Sequence, residues 1–277
     1  MNHDAYTTLR VRRAAGIAYV TLDNPSVNVL NVALMRDLRN LLAAMRDDDS
    51  IRVIVFDSAD PEFFIAHVDM SLVDTPDAFA ELAADLPDGV NVFQALGESL
   101  RHQPQVTIVK LAGIARGGGA EFVAAADMSF AAIGRAAIGQ IEALMGIVPG
   151  GGGTQYLAAR VGRQRALEAV LGAELFDAET AQRYGWINRA VPADELDDLV
   201  DHLARNIAAL PEGVIAAANR ALAPEDLGAG LVREHLAWAS TFARPAAERL
   251  IRGGLANGAQ TRTGERDLEG LLRRLAG

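Results

Sequence analysis

The chain has no cysteine. That excludes disulfides, thiolate metal sites and a cysteine nucleophile, and a cytoplasmic protein is expected. Lys110 is the only lysine, so cationic contacts to an anionic ligand fall to arginine and to backbone amides. Long apolar runs are missing too. No stretch of about 18 apolar residues reads as a membrane span, and MNHDAYTTLRVRR lacks the apolar segment of a secretory signal. Positive charge is scarce overall, and a net charge of −10 argues against a nucleic-acid binder. The scarcity is uneven. From Arg233 onward, eight arginines (233, 244, 249, 252, 262, 266, 273, 274) face five acids (234, 248, 265, 267, 269), which makes the tail about +3 by this count. Most of these arginines read as a solvated helical face, with a few left to meet an anionic ligand or a neighbouring subunit.

What is present can build a sizeable core: 277 residues, 50% of them hydrophobic. LRVRRAA and IAYVTLD alternate as strands, broken at Gly16. After the turn chemistry of NPSVN, Asn31 is placed to cap a helix running to about Met45. IRVIVFDS and PQVTIVKLAG are apolar runs of strand length, and VNVFQALGESLRHQ has helical spacing. Beyond PGGGG the chain reads mostly as helix. Strands first and helices later do not make a simple Rossmann fold.

Three segments carry candidate chemistry. In GIARGGGAEF (113–122), three glycines let another group approach the backbone, and AEFVAAADM behind them reads as a short helix. A helix start offers free amides and partial positive charge. Glu121 in the first turn is either a dipole-stabilised acid or a catalytic base beside an anion hole. PEFFIAHVDMS (61–71) follows a strand and reads as a loop, weak evidence by itself. In IGQIEALMGIVPGGGGTQYL (138–157), Glu142 opens a short apolar stretch ahead of a glycine-rich turn. That turn lacks the lysine of a GxxxxGK[ST] loop, which excludes a nucleotide-triphosphate site of that type.

Together the segments resemble the crotonase, or enoyl-CoA hydratase/isomerase, superfamily over about residues 8 to 222. FIAHVDM resembles the family's F-x-A-G-A-D-[IL], and GIARGGGAEF its G-x-A-x-G-G-G-x-E. GQIEALMGIVPGGGGTQYL resembles G-x-P-E-x-x-x-G-x-x-P-G-x-G-G-T-x-x-L, and YGWINRAVPADEL its A-x-x-x-G-L-V-x-x-V segment. The resemblance implies an α/β fold, a crotonase-like spiral of ββα units forming two packed sheets surrounded by helices. The spiral core is expected over 1–192 and a helical region over 193–277 that mediates trimers, or dimers of trimers, and forms part of the CoA site.

The resemblance also implies an acyl-CoA thioester substrate, no cofactor beyond the CoA that is part of it, and no metal. Backbone N–H groups of Val68 and Gly118 map to an oxyanion hole. Glu121 and Glu142 map to the two glutamates of hydratases, which add water to a trans-2-enoyl-CoA. Keeping both acids favours a hydratase over an isomerase, another enolate-forming lyase or a non-catalytic acyl-CoA-binding subunit. Val29, Ala66, His67, Asp69, Met70, Ser71 and Gly117 map to the substrate and CoA contacts, while Asp69 and Asp127 read as structural.

The chain departs from the pattern at several places. His67 stands where the family usually has glycine, so either the loop differs slightly or His67 adopts the left-handed conformation. Ile141 replaces a proline, Ser71 stands where many hydratases have a lysine, and Arg116 replaces an apolar residue. Arg116 reads as a surface salt-bridge residue, with contact to a polar acyl group as the alternative. Residues 72 to 102 are expected to shape the acyl pocket.

Overall fold

The computed structural model describes residues 6–87 and 89–276; the first five residues of the MNHDAYTTLRVRR stretch lie outside it. Among the described residues, ten strands form two sheets. They are β1 (Leu9–Ala14), β2 (Ile17–Leu22), β3 (Val53–Ser58), β4 (Phe63–Ile65), β5 (Val106–Leu111), β6 (Ile114–Arg116), β7 (Met128–Ala132), β8 (Ala137–Gly139), β9 (Phe176–Asp177) and β10 (Arg189–Val191). The helices are α1 (Val32–Arg46), α2 (Ala80–Ala83), α3 (Val92–Arg101), α4 (Gly118–Ala125), α5 (Gly153–Val161), α6 (Arg163–Gly172), α7 (Ala178–Tyr184), α8 (Leu196–Ala208), α9 (Val214–Ala221), α10 (Gly228–Phe242), α11 (Pro245–Ala256), α12 (Arg262–Glu265) and α13 (Leu268–Ala276).

The larger sheet has the order β1-β2-β3-β5-β7-β10. β1 and β2 pair antiparallel, Leu9 opposite Leu22, and the remaining pairings are parallel. The smaller sheet runs β4-β6-β8-β9, antiparallel only at β9. β3 is apolar for its first four residues because both its faces are covered. One side faces α8, whose Leu196, Val200 and Ala204 recur every four residues and pack with Ile17, Val53, Val55 and Phe130. The helix that follows residue 192 is thus bedded on the large sheet. On the other side Phe122 of α4 sits edge-on to Phe56 of β3 (5.2 Å between ring centres) and close to Phe64 of β4 (6.1 Å). All eight residues of α4 are buried between the sheets, so any group on this helix is held by the core. Burying an aromatic or aliphatic side chain there stabilises by about 1.5–3 kcal/mol.

Helix starts follow their local chemistry. The Asn31 side chain accepts from Leu34 N (2.9 Å), as its sequence position suggests. Asn91 and Gln94 form a reciprocal capping box at α3. Asp127 closes the end of α4 by accepting from Thr107 N and Oγ1 of β5, both at 2.8 Å. No helix among the described residues is long and apolar enough to cross a membrane.

Candidate active site

β6 ends at Arg116, and the chain turns into α4 through Gly117 at φ +48°, a conformation that favours glycine. A side chain there would also collide with Glu142, whose Oε1 lies 2.7 Å from where a Cβ would stand. Gly118 opens α4, and a first-turn amide has no carbonyl partner inside its helix. A Cβ on Gly118 would stand 2.6 Å from Val68 Cγ2, so helix start and the 61–71 segment touch.

Val68 lies opposite Leu30 in a parallel bridge. Leu30 N donates to His67 O (2.8 Å) and Asp69 N to Leu30 O (3.3 Å). In such a ladder the bonds to Leu30 come from Val68's neighbours, so Val68's own N–H points away from Leu30. Val68 and Gly118 both line a cavity of about 320 Å³.

Glu121 sits one turn into α4, its N–H donating to Gly117 O. Its Oε1 accepts from Gly151 N (2.8 Å) and Gly153 N (3.0 Å). Glu234, on α10, does the same for the alternate amides. Oε1 accepts from Gly152 N (2.6 Å), and Oε2 accepts from Thr154 N (2.8 Å) and Thr154 Oγ1 (2.6 Å). The amides of PGGGGT at the start of α5 are therefore bound by two carboxylates of the chain itself, which is what its glycines make room for. Glu142 begins a 3-10 turn over Glu142–Met145 that Gly146 closes in the left-handed conformation. Assigned by its hydrogen-bond partners, the Gln140 amide donates to both Glu142 oxygens, at 3.2 and 3.0 Å.

Glu121 and Glu142 are 5% and 7% exposed, so neither is a surface helix acid. Burial pushes the Glu121 carboxyl well above its ordinary value, and the charges of Glu142 and Glu234 push it further. Burial likewise raises Glu142 to about 7, with Glu234 adding to the rise and nearby amides and His67 opposing it. Glu234 is also raised by burial, against its hydrogen bonds to Thr154, Gln94 and Gly152.

The cavity brings together Glu121, Glu142, Val68, Gly118, Gly117, His67, Asp69 and Met70. Val29, Ala66 and Ser71 do not line it. Val29 and Ala66 are buried with Val27 and Phe63, and Ser71 donates to Asp69 Oδ1 (N 2.9 Å, Oγ 2.7 Å), which orders the turn at 70–74. Leu72, Val73, Phe79 and Phe93 from the 72–102 segment line the apolar part, joined by Met145, Ile147, Trp238, Phe242 and Ile251.

Several expectations change. The 61–71 segment is not all loop, because Phe63–Ile65 is β4. His67 is absent from the left-handed residues; its Cβ is accommodated in an extended loop paired to Leu30. Arg116 is not on the surface. It is fully buried and paired with Glu265 and Glu269, the latter through Nε at 2.6 Å. Of the tail arginines, 252, 262, 266, 273 and 274 each pair with a carboxylate of the same chain. Sequence reasoning missed Glu234, Gln140, Trp238 and Phe242. A faint signal for Glu234 exists, since it shares the inward face of α10 with Gly230 and Leu231.

The family model described as enoyl-CoA hydratase/isomerase matches residues 12–255. A "Probable enoyl-CoA hydratase" of Rhizobium meliloti is 32% identical over 244 residues, covering 86% of this chain and 91% of that one. One of Mycobacterium bovis is 31% identical over 246 residues with the same coverages. A crystal structure of a "putative enoyl-CoA hydratase" from Streptomyces avermitilis is 68% identical, covers 98% of this chain and 99% of its own, and superposes with a TM-score of 0.96. With two sheets, a cavity at the start of α4 and these relatives, the chain belongs to the enoyl-CoA hydratase/isomerase family.

Proposed function

We propose that this family member works as an enoyl-CoA hydratase, adding water in the syn sense to a trans-2-enoyl-CoA, with Glu121 and Glu142 as the acid/base pair. The observation that carries the reading is the pair of buried carboxyls on one cavity, with Val68 and Gly118 beside them. An isomerase moves one proton and needs one base. Hydration needs a base to take a proton from water at C3 and an acid to deliver one at C2.

In the proposed cycle the thioester oxygen lies between the Val68 and Gly118 amides. The ionised member of the pair takes a proton from water as the water oxygen bonds to C3. The electron pair of the double bond moves onto the thioester oxygen as an enolate, which the two amides stabilise; one such donor is worth about 3 kcal/mol. The protonated member then gives its proton to C2. One water is consumed and the pair ends with one proton, as it began. Burial favours that shared-proton state, because two charged carboxylates in a dry cavity repel.

The cavity walls support an uncharged acyl chain. The lining residues include four aromatic side chains, Phe79, Phe93, Trp238 and Phe242, and no lysine or arginine. Apolar side chains exposed on the C-terminal half, Leu222 at 82% and Leu236 at 64%, support assembly into a homotrimer or a dimer of trimers, measurable by light scattering.

The test is hydration of crotonyl-CoA by the purified protein, followed as loss of the conjugated-thioester absorbance. Turnover well above the uncatalysed rate is expected. Turnover of 3-enoyl-CoA alone would make the protein an isomerase, and binding without turnover would make it an acyl-CoA-binding subunit.

A further inference from the structure

The acid/base scheme leaves one buried ionic cluster unused. His67 is 2% exposed and both its ring nitrogens are engaged: Nδ1 lies 2.6 Å from Val68 O and Nε2 2.9 Å from Glu265 Oε1. A carbonyl oxygen only accepts, so Nδ1 carries a proton. Glu265 Oε1 also accepts from Gln260 N (2.8 Å), and its Oε2 faces Arg116 Nη1 (3.4 Å). A carboxylate placed between an amide and a guanidinium is ionised and accepts from Nε2 as well. Both ring nitrogens then carry protons, and the ring is an imidazolium.

We propose that His67 is a positioning residue for hydration: as an imidazolium it clamps the Val68 segment to the C-terminal region and fixes the direction of the Val68 N–H. The inference rests on the hydratase reading for its kinetic consequences only.

The surroundings are built as a clamp. His67 O is held by Leu30 N, Val68 O by the His67 ring, and Asp69 N by Leu30 O, so successive peptide planes of the loop are fixed around the Val68 amide. Gln260 holds the next turn, its Oε1 accepting from Met70 N (2.7 Å) and its Nε2 donating to Asp69 Oδ1 (3.0 Å), from a left-handed backbone at φ +66°. Arg116 anchors the far side through Glu265 O (3.0 Å) and Glu269. The charged groups around the ring are Glu265 and Arg116, with Asp69 on the same loop, Glu142 across the cavity and Glu269 behind Arg116. Burial pushes the imidazolium pKa down, but Glu265 and the Val68 carbonyl outweigh it and the net shift is upward.

Two measurements test the clamp. The first is nitrogen NMR of the histidine rings in the wild-type protein at about pH 8, above the ordinary histidine value of about 6.5, with His67→Gln identifying the signal. Two protonated ring nitrogens are expected; a neutral ring overturns the proposal. The second is the kinetics of His67→Gln and Glu265→Gln on crotonyl-CoA. Misaimed oxyanion donors cost kcat, so each variant should lose about 10- to 100-fold in kcat with KM within about threefold. In Glu265→Gln the ring should be neutral at about pH 8, having lost its counter-charge. A kcat within twofold of wild type, or a loss confined to KM, overturns the proposal. An inactive wild-type protein would sink the hydratase reading, and the ring state would still decide whether His67 is charged.

Discussion

Gly151→Ala places one methyl group against Glu121, one member of the proposed acid/base pair, while leaving both carboxyls in the chain. The Cβ would stand 2.3 Å from Glu121 Oε2, 2.9 Å from its Cδ and 3.0 Å from Phe93 Cβ. Real Cβ contacts essentially never fall below 3.0 Å, and ordinary contact starts at 3.4 Å. The backbone of Gly151 is not in the left-handed region, so alanine is sterically possible and the carboxyl has to move, by about 1 Å. The carboxyl is tied to the Gly151 and Gly153 amides, so displacement also stretches those bonds. A misplacement of about 1 Å costs on the order of 100-fold in rate, and overpacking a buried site costs about 1–3 kcal/mol. Steady-state kinetics should show kcat down about 100-fold with KM little changed, and urea unfolding should show a loss in that range. Gly172→Ala is the control: nothing lies within 4 Å of its Cβ, at the end of α6. It should keep full activity and gain up to about 1 kcal/mol. A Gly151→Ala enzyme with kcat within threefold of wild type would refute a role for the placement of Glu121.

Three further outcomes follow from the same geometry. Arg116→Met leaves Glu265 and Glu269 without their guanidinium, and should cost about 3–5 kcal/mol in urea unfolding; a loss below about 1 kcal/mol would contradict the buried pairing. Burial raises Glu142 from 4.5 to about 7. A carboxyl raised on folding contributes stability that is present below its unfolded value and lost as pH rises through its folded one. Glu142→Gln should therefore gain on the wild type by up to about 3 kcal/mol between about pH 4.5 and pH 8; a pH-independent difference would contradict the raised value. With no lysine or arginine in the cavity wall, and the His67 charge already paired with Glu265, an enoyl-CoA with an apolar chain should exceed one ending in a carboxylate by at least about tenfold in kcat/KM.

The long elements were legible because their patterns are local. The Asn31 cap, the four-residue spacing of α8 and the apolar runs of β3 and β5 each state their own structure. The smaller sheet was legible only through the family resemblance, since β4, β6 and β8 are three residues each and β9 is two, too short for any periodicity. The motif glutamates and the Val68 and Gly118 segments were singled out through the motifs that carry the family resemblance. Glu234 and Trp238 did not, because they reach the site from α10, more than 80 residues beyond the glycine-rich turns they meet. Arg116 was misread for a related reason: an arginine beside a glycine loop is ordinarily exposed, and the carboxylates that let it be buried lie about 150 residues away.

The most direct test is steady-state hydration of a trans-2-enoyl-CoA by the wild type, Glu121→Gln and Glu142→Gln under one set of conditions. If both carboxyls move protons, each variant loses on the order of 10²–10⁴ in kcat while still binding the thioester. If either variant keeps more than about a tenth of the wild-type kcat, that residue is not an acid or base in the reaction, and the two-carboxyl mechanism is wrong.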